Sequence, residues 1–295
     1  MIRWFAPALV AALLWAGVNV ADDQLLRNVY REPRVATGMA GCAAVFPAVA
    51  VFAWHGSIAL NRTAVLLSML AGLGTTLYVY LLFLAFARHE PSIVVALGGL
   101  GQIALPVGAA IVVAERLSVE QYVGIVIIAV GTSCLALLDR RSSAVSARLV
   151  LLASVGAALF VGSSLCLKHA YQLRSFPDVF PWYGVGSVVA GIGFLASVGR
   201  ARLAVAADGI GRRLLLLIAG IEAVNGAADY LQGWAISRGP VSAVRAVEGT
   251  QPLFVLGIGV VLARISGHVS RERGTNLWAK VGLFGALVVG VILVA

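Results

Sequence analysis

Apolar residues run along this chain in ten blocks, each long enough to cross a bilayer and separated by short polar or basic connections. A transmembrane helix needs about 20 predominantly apolar residues. The blocks fall roughly at 4–22, 35–53, 63–87, 91–114, 119–138, 148–170, 179–199, 213–235, 240–263 and 277–295. No connection is large enough for a soluble domain, so the pattern predicts one all-α membrane bundle of ten transmembrane helices.

The second five spans look like a diluted copy of the first five. Displacing the sequence by 149 residues puts Pro91 on Pro240, Val95 on Val244, Gln102 on Gln251, Gly108 on Gly257 and Ala114 on Ala263. A unit of five spans is odd-numbered, so its second copy enters the membrane upside down. The expected architecture is therefore two inverted five-helix repeats, residues 1–138 and 148–295, joined by a linker at 139–147. Inverted repeats are the usual build of secondary transporters, whose two halves rock around a site at their interface.

Proline and glycine refine the elements. Pro91 and Pro240 open spans 4 and 9, where a missing amide hydrogen costs nothing. Pro106 and Pro252 lie deeper and are expected to bend those spans, freeing backbone carbonyls. Gly124 and Gly131 give span 5 a small-residue stripe, and Gly282 and Gly285 do the same for span 10. The halves differ by one insertion at 266–275, which reads as a solvated basic loop.

Composition agrees with lipid as the solvent: 60% of residues are hydrophobic and only 12% charged, against about a quarter charged in soluble domains. The net charge of +9 sits mostly in loops, where it sets topology and touches anionic lipid instead of nucleic acid. One face carries Arg27, Arg31, Arg34, Arg88, Arg140, Arg141, Arg148, Arg200, Arg202, Arg212, Arg213, Arg264, Arg271, Arg273 and Lys280. The other carries Arg3, Arg62, Arg116, Lys168, Arg174 and Arg238. By the positive-inside rule the richer face is cytoplasmic, which leaves both termini outside. The first block reads as an uncleaved span, since Asn19 and Asp22-Asp23 stand where a small-residue cleavage site would be needed. The expected location is the inner (cell) membrane of a bacterium. Cys42, Cys134 and Cys166 are scattered through apolar segments, and the four histidines lie at span ends and loops. No metal site, cofactor or catalytic triad is expected, and the chain does not read as an enzyme.

Charges inside spans carry the candidate chemistry. Each costs about 2.5–3.5 kcal/mol on insertion scales, so it faces protein or water. Spans 8 and 9 hold Glu222, Asp229, Arg245 and Glu248. In span 8, Glu222, Asn225, Asp229 and Gln232 follow at i, i+3, i+7 and i+10, which draws one polar stripe down a helix. Spans 8 and 9 form a hairpin, and Asp229 and Arg245 both lie about 8–9 Å below its turn. An Asp229–Arg245 ion pair is expected, with Glu248 one turn deeper. Arg245, Glu248, Asp229, Asn225 and Gln232 are thus candidate substrate contacts, and Glu222 is the candidate for proton coupling. A structural network that knits two helices would use the same residues. Across the repeat, Tyr80 and Gly99 stand where Asp229 and Glu248 do, so they are candidates for an uncharged wall of an amphipathic ligand's cavity. At the span ends, Asp23 aligns with Lys168, and both are expected to snorkel towards headgroups.

Motifs around span 4 add a resemblance. Pro91-Ser92-Ile93-Val94 enters the span, and Ala114-Glu115-Arg116-Leu117-Ser118 leads through Gln121 and Gly124 to Gly131. Gly239-Pro240-Val241-Ser242 and Gln251-Pro252-Leu253-Phe254 stand in the matching part of the second half. This pattern resembles the EamA-type branch of the drug/metabolite transporter superfamily. The resemblance implies ten spans in two inverted halves and export or exchange of small metabolites, amino acids included, through a central cavity. It also implies cytoplasmic termini, against the charge count. At the second-half position of Glu115 the chain departs from the pattern with Arg264. The function expected is secondary transport of a small polar or amphipathic metabolite by alternating access, possibly coupled to protons. A flippase for a lipid-linked sugar and a non-transporting structural subunit are the alternatives. Expected partners are the small-molecule substrate and the bilayer.

Overall fold

Inside a bilayer every backbone N–H and C=O must be paired within the protein, so long apolar runs become helices. The structure, a computed structural model, describes residues 2–25, 32–55, 61–87, 91–138, 147–199, 211–255, 257–258 and 277–295, and these are helical with short connections. The helices are α1 (Ile2–Leu25), α2 (Pro33–Ala43), α3 (Val45–His55), α4 (Arg62–Phe86), α5 (Pro91–Val112) and α6 (Val119–Leu138). They continue with α7 (Ala147–Leu173), α8 (Phe176–Val198), α9 (Arg212–Arg238), α10 (Val241–Glu248) and α11 (Leu277–Val294). Among the described residues six stretches are long and apolar enough to cross a membrane: Arg3–Ala21, Pro33–His55, Arg62–Phe86, Ala147–Leu173, Phe176–Val198 and Leu214–Arg238. Gly99–Val112, Val119–Leu135 and Gly282–Val294 are shorter apolar helices. The outer surface is apolar too: Phe46, Trp54 and Ile111 are 72%, 87% and 79% exposed, which only lipid makes inexpensive.

Two proline expectations part company. Helix α5 runs unbroken through Pro106, whereas the ninth span stops after Glu248 and resumes as helix over 251–255. Pro252 has no N–H to return to the Glu248 carbonyl. The Leu253 amide bonds instead to the Thr250 carbonyl at 2.9 Å, and the Thr250 amide to the Val247 carbonyl at 3.1 Å. The Gly249 carbonyl accepts a 2.9 Å bond from the Thr132 hydroxyl of α6. The break is therefore stabilised from outside the helix.

Helices α4 and α7, α1 and α9, α4 and α8, and α6 and α11 pack side by side, and α8 covers both α2 and α3. Glycine sets the close approaches. A Cβ at Gly72 would strike the Tyr183 carbonyl oxygen, and one at Gly186 the Met69 carbonyl oxygen, so α4 and α8 meet backbone to backbone. Gly124 and Gly131 do pack on α11, but against Gly290 and Leu287. The small-residue stripe expected at Gly282 and Gly285 makes no such approach, since a Cβ at either would stand in open space; the contact with α6 lies one to two turns further along α11.

Several sequence expectations fall outside the described residues: most of the loop arginines that set the charge count, among them Arg27, Arg88, Arg140 and Arg264, and the 266–275 loop. The side chains of Asp22, Asp23, Arg213 and Lys280 are outside them as well.

Candidate functional site

The short helix α10 is the centre of the site. Every residue from Val241 to Val247 is buried, and Arg245 is only 5% exposed. Its Nε donates to Ser164 Oγ on α7 at 3.0 Å and its Nη1 to Glu248 Oε2 at 2.7 Å. The same Glu248 oxygen accepts Gln232 Nε2 from α9 at 2.5 Å. The guanidinium also lies 5.0 Å over the Phe160 ring, a cation–π contact that strengthens away from water. Phe160 in turn packs on Tyr78, with ring centroids 5.5 Å apart.

The expected Asp229–Arg245 ion pair is not what forms. Among the described residues Arg245 pairs with Glu248, three positions along its own helix. Depth below a hairpin turn places two residues at one height, but it does not decide which way each helix is rotated. An i, i+3 partner lies on the same face whatever that rotation is.

The polar stripe on α9 splits into two levels. At one, Trp15 Nε1 donates to Asn225 Oδ1 at 2.9 Å, and Asn225 Nδ2 lies 3.4 Å from Glu222 Oε2. Asn19 Nδ2, one turn along α1, donates to Gln251 Oε1 at 2.8 Å, just past the break. At the other level sit Gln232, Glu248, Arg245 and Ser164. Asp229 stands between the two along α9. Gln102, which the 149-residue displacement sets on Gln251, lies against Gly249 at the break, so close that a Cβ there would meet its amide. One oxygen of that amide is buried without a hydrogen-bond partner.

Tyr80 and Gly99, the candidates from the first half, have packing roles here. Tyr80 stacks on Phe194 of α8 at 4.7 Å between centroids. A Cβ at Gly99 would press on Ser133 of α6. The aromatic residue that lies against Arg245 is Phe160, with Tyr78 packed behind it. The sequence marked neither them nor Ser164 as site residues, because each is an ordinary lipid-bundle residue until the fold sets it beside Arg245.

Two more charges hold the hairpin in place. Glu115 accepts the Val241 and Ser242 amides at 2.5 and 3.1 Å, so a carboxylate caps the N-terminus of α10, where the helix dipole is positive. Lys168 does not snorkel: its Nζ donates to the Ile236 and Gly239 carbonyls at 2.9 and 2.7 Å, closing the C-terminus of α9. Replacing Glu115 by Gln keeps one acceptor but loses the charge. It should cost about 0.5–2 kcal/mol, read as a lowered thermal unfolding midpoint in detergent. Glu120→Gln, at an exposed position, should leave the midpoint unchanged.

An apolar exterior, a helical bundle and a charged interior at a broken helix define an integral, multi-pass membrane protein. Residues 3–137 match the model of the EamA-like transporter family. Over that stretch, a little under half of its length, the chain is similar to the EamA-type branch of the drug/metabolite transporter superfamily, a family of membrane transporters. A solved structure described as "Crystal structure of protein" is similar to it with a TM-score of 0.75 at 14% identity, covering 99% of this chain and 97% of that chain. That likeness is one of fold. No curated protein matches the chain.

Proposed function

We propose that this protein is a secondary transporter, an exporter or exchanger in a bacterial inner membrane, that carries a small polar or amphipathic metabolite by alternating access. The carrying observation is the buried Arg245–Glu248 pair at the break in the ninth span. Broken helices at the interface of two repeats are where transporters bind substrate, since freed backbone groups and helix ends are stable only where they line a cavity. A guanidinium held by one carboxylate and one hydroxyl keeps a further terminal nitrogen for the carboxylate of a substrate. The protein then needs no catalytic group and no cofactor.

Two inverted halves, 1–138 and 148–295, are supported by the packing. The contact of α4 on α7 has its counterpart in α9 on α1, that of α5 on α7 in α10 on α1, and that of α5 on α6 in α10 on α11. One observation favours the flippase alternative: an apolar cleft between α4 and α7, walled by Leu81, Leu82, Leu149 and Leu152, that ends at Tyr78 and Phe160 beneath Arg245. A lipid tail would lie there with its head at the arginine.

The test is a thermal-shift screen of charged metabolites on wild type and Arg245→Lys, followed by liposome uptake of each hit. Lysine keeps the charge but loses the planar fork. A substrate carboxylate at this site predicts at least a tenfold weaker hit in the variant and loss of its uptake. Equal shifts in both proteins for every charged metabolite would remove Arg245 as the substrate contact. A lipid-linked sugar that is translocated, with no soluble hit, would replace the metabolite reading by the flippase one.

A further inference from the structure

Three carboxylates and one guanidinium share the core of spans 8 and 9, and their partners are unequal. Glu248 has Arg245 and Gln232. Glu222, the coupling candidate from the sequence, has Asn225, itself held by Trp15. Asp229 lies between them, half-buried, and among the described residues no hydrogen bond or ion pair holds its carboxyl group. Gln232, one turn along α9 from Asp229, reaches the Arg245–Glu248 pair of α10, and the other titratable groups whose charge acts on Asp229 are Tyr171 from α7, Tyr183 from α8 and Glu222 from its own helix. Among the described residues α1, α2 and α3 present no charged group to it. The one cation among these groups, Arg245, is already paired.

An unpaired carboxylate inside a membrane protein is more stable carrying its proton. Once it loses that proton, it needs a cation close by. Arg245 meets this need without leaving Glu248, since Ser164 and Glu248 engage Nε and Nη1 and the fork has a further terminal nitrogen.

We propose that Asp229 is the group through which this site exchanges protons, with its carboxylate moving onto the second terminal nitrogen of the Arg245 guanidinium when the proton leaves. The proton passes to water on whichever side the cavity is open, and no other bond changes. This rests on the transport reading and names its coupling group, replacing Glu222. It also makes anion binding and proton release compete: a substrate carboxylate that occupies the free edge of Arg245 leaves Asp229 no cation, so substrate and proton are held together.

The experiment needs no substrate. Infrared difference spectra of the protein in liposomes are recorded as the pH is raised, following the carbonyl stretch of protonated carboxyl groups and its shift in heavy water. Wild type should show a protonated carboxyl whose band disappears with rising pH. Asp229→Asn should lose most of that band, Asp229→Glu should keep it at a shifted frequency, and Glu222→Gln should leave it unchanged. A band undiminished in Asp229→Asn, or one removed by Glu222→Gln, would overturn the assignment. Because Asp229→Glu retains a carboxyl, loss of the band in both Asp229 variants would mean a disrupted site and would also count against an exchanging role. Should no solute prove to be transported, the transport reading fails while the infrared result stands by itself.

Discussion

Arg245→Ala is expected to lower the protein's stability by about 3–5 kcal/mol, the cost of removing one member of a buried ion pair. The side chain is almost wholly buried and its charge is met by Glu248, Ser164 and the Phe160 face. Truncation leaves Glu248 with only the Gln232 amide, so the penalty is mostly that of a stranded carboxylate, not of a lost attraction. Replacing Arg245 by Met and Glu248 by Leu together removes both charges and fills the volume. That double variant should recover most of the loss and remain inactive. Thermal unfolding of the single and double variants in one detergent checks the cycle. A double variant as unstable as Arg245→Ala would mean that packing around the side chain, and not its charge, carries the effect. The combination expected, stable but inactive, separates a functional ion pair from a structural one.

The second large effect belongs to Gly186. A single added methyl there meets the Met69 backbone on α4, and backbone cannot move aside as a flexible side chain would. Overpacking of this kind costs about 1–3 kcal/mol, and Gly186→Leu should lie at or beyond the upper end. Gly193, two turns along the same helix, has nothing within 4 Å of an added Cβ. Gly193→Ala should therefore be neutral, or stabilising by up to about 1 kcal/mol through helix propensity. The contrast between two glycines of one helix, measured as unfolding midpoints, isolates the close approach of α4 and α8. Equal effects at both positions would mean that this approach does not hold the helices.

Much of the fold was legible along the chain because lipid imposes one rule on every apolar run. Helices start within three residues of where the hydropathy pattern places the spans. The glycine surfaces of α6 were legible for the same reason, since small residues permit close packing wherever they fall. The interruption at Gly249–Thr250 was foreseen only as a bend at Pro252. A proline inside a helix has two outcomes, and Pro106 took the other one. At the break a neighbour supplies a donor for the freed carbonyl, as Thr132 does for Gly249.

The site was legible as a set of residues and not as a set of partners. Arg245, Glu248 and Gln232 were marked by charge and spacing, and they do meet. Asp229, marked for Arg245, does not pair with it, and Tyr80 and Gly99 turn to packing. Lys168 and Glu115 looked like a snorkelling end and a family motif. They proved to close the two helix ends that meet at the α9–α10 turn, a task invisible until it is known which helix ends come near them.

The sequence by itself determined that this is a membrane bundle, where its helices run, and that its chemistry is concentrated in the last part of the second half. These follow from hydropathy and from the cost of burying charge, which act locally along the chain. Only the tertiary structure decided that Arg245 takes Glu248, that Asp229 has no hydrogen-bond or ion-pair partner among the described residues, and that Ser164, Phe160 and Tyr78 join the site. Sequence fixes the height of a side chain along its helix, but its direction depends on the rotation of each helix. That rotation is set by the glycine faces through which neighbouring helices pack.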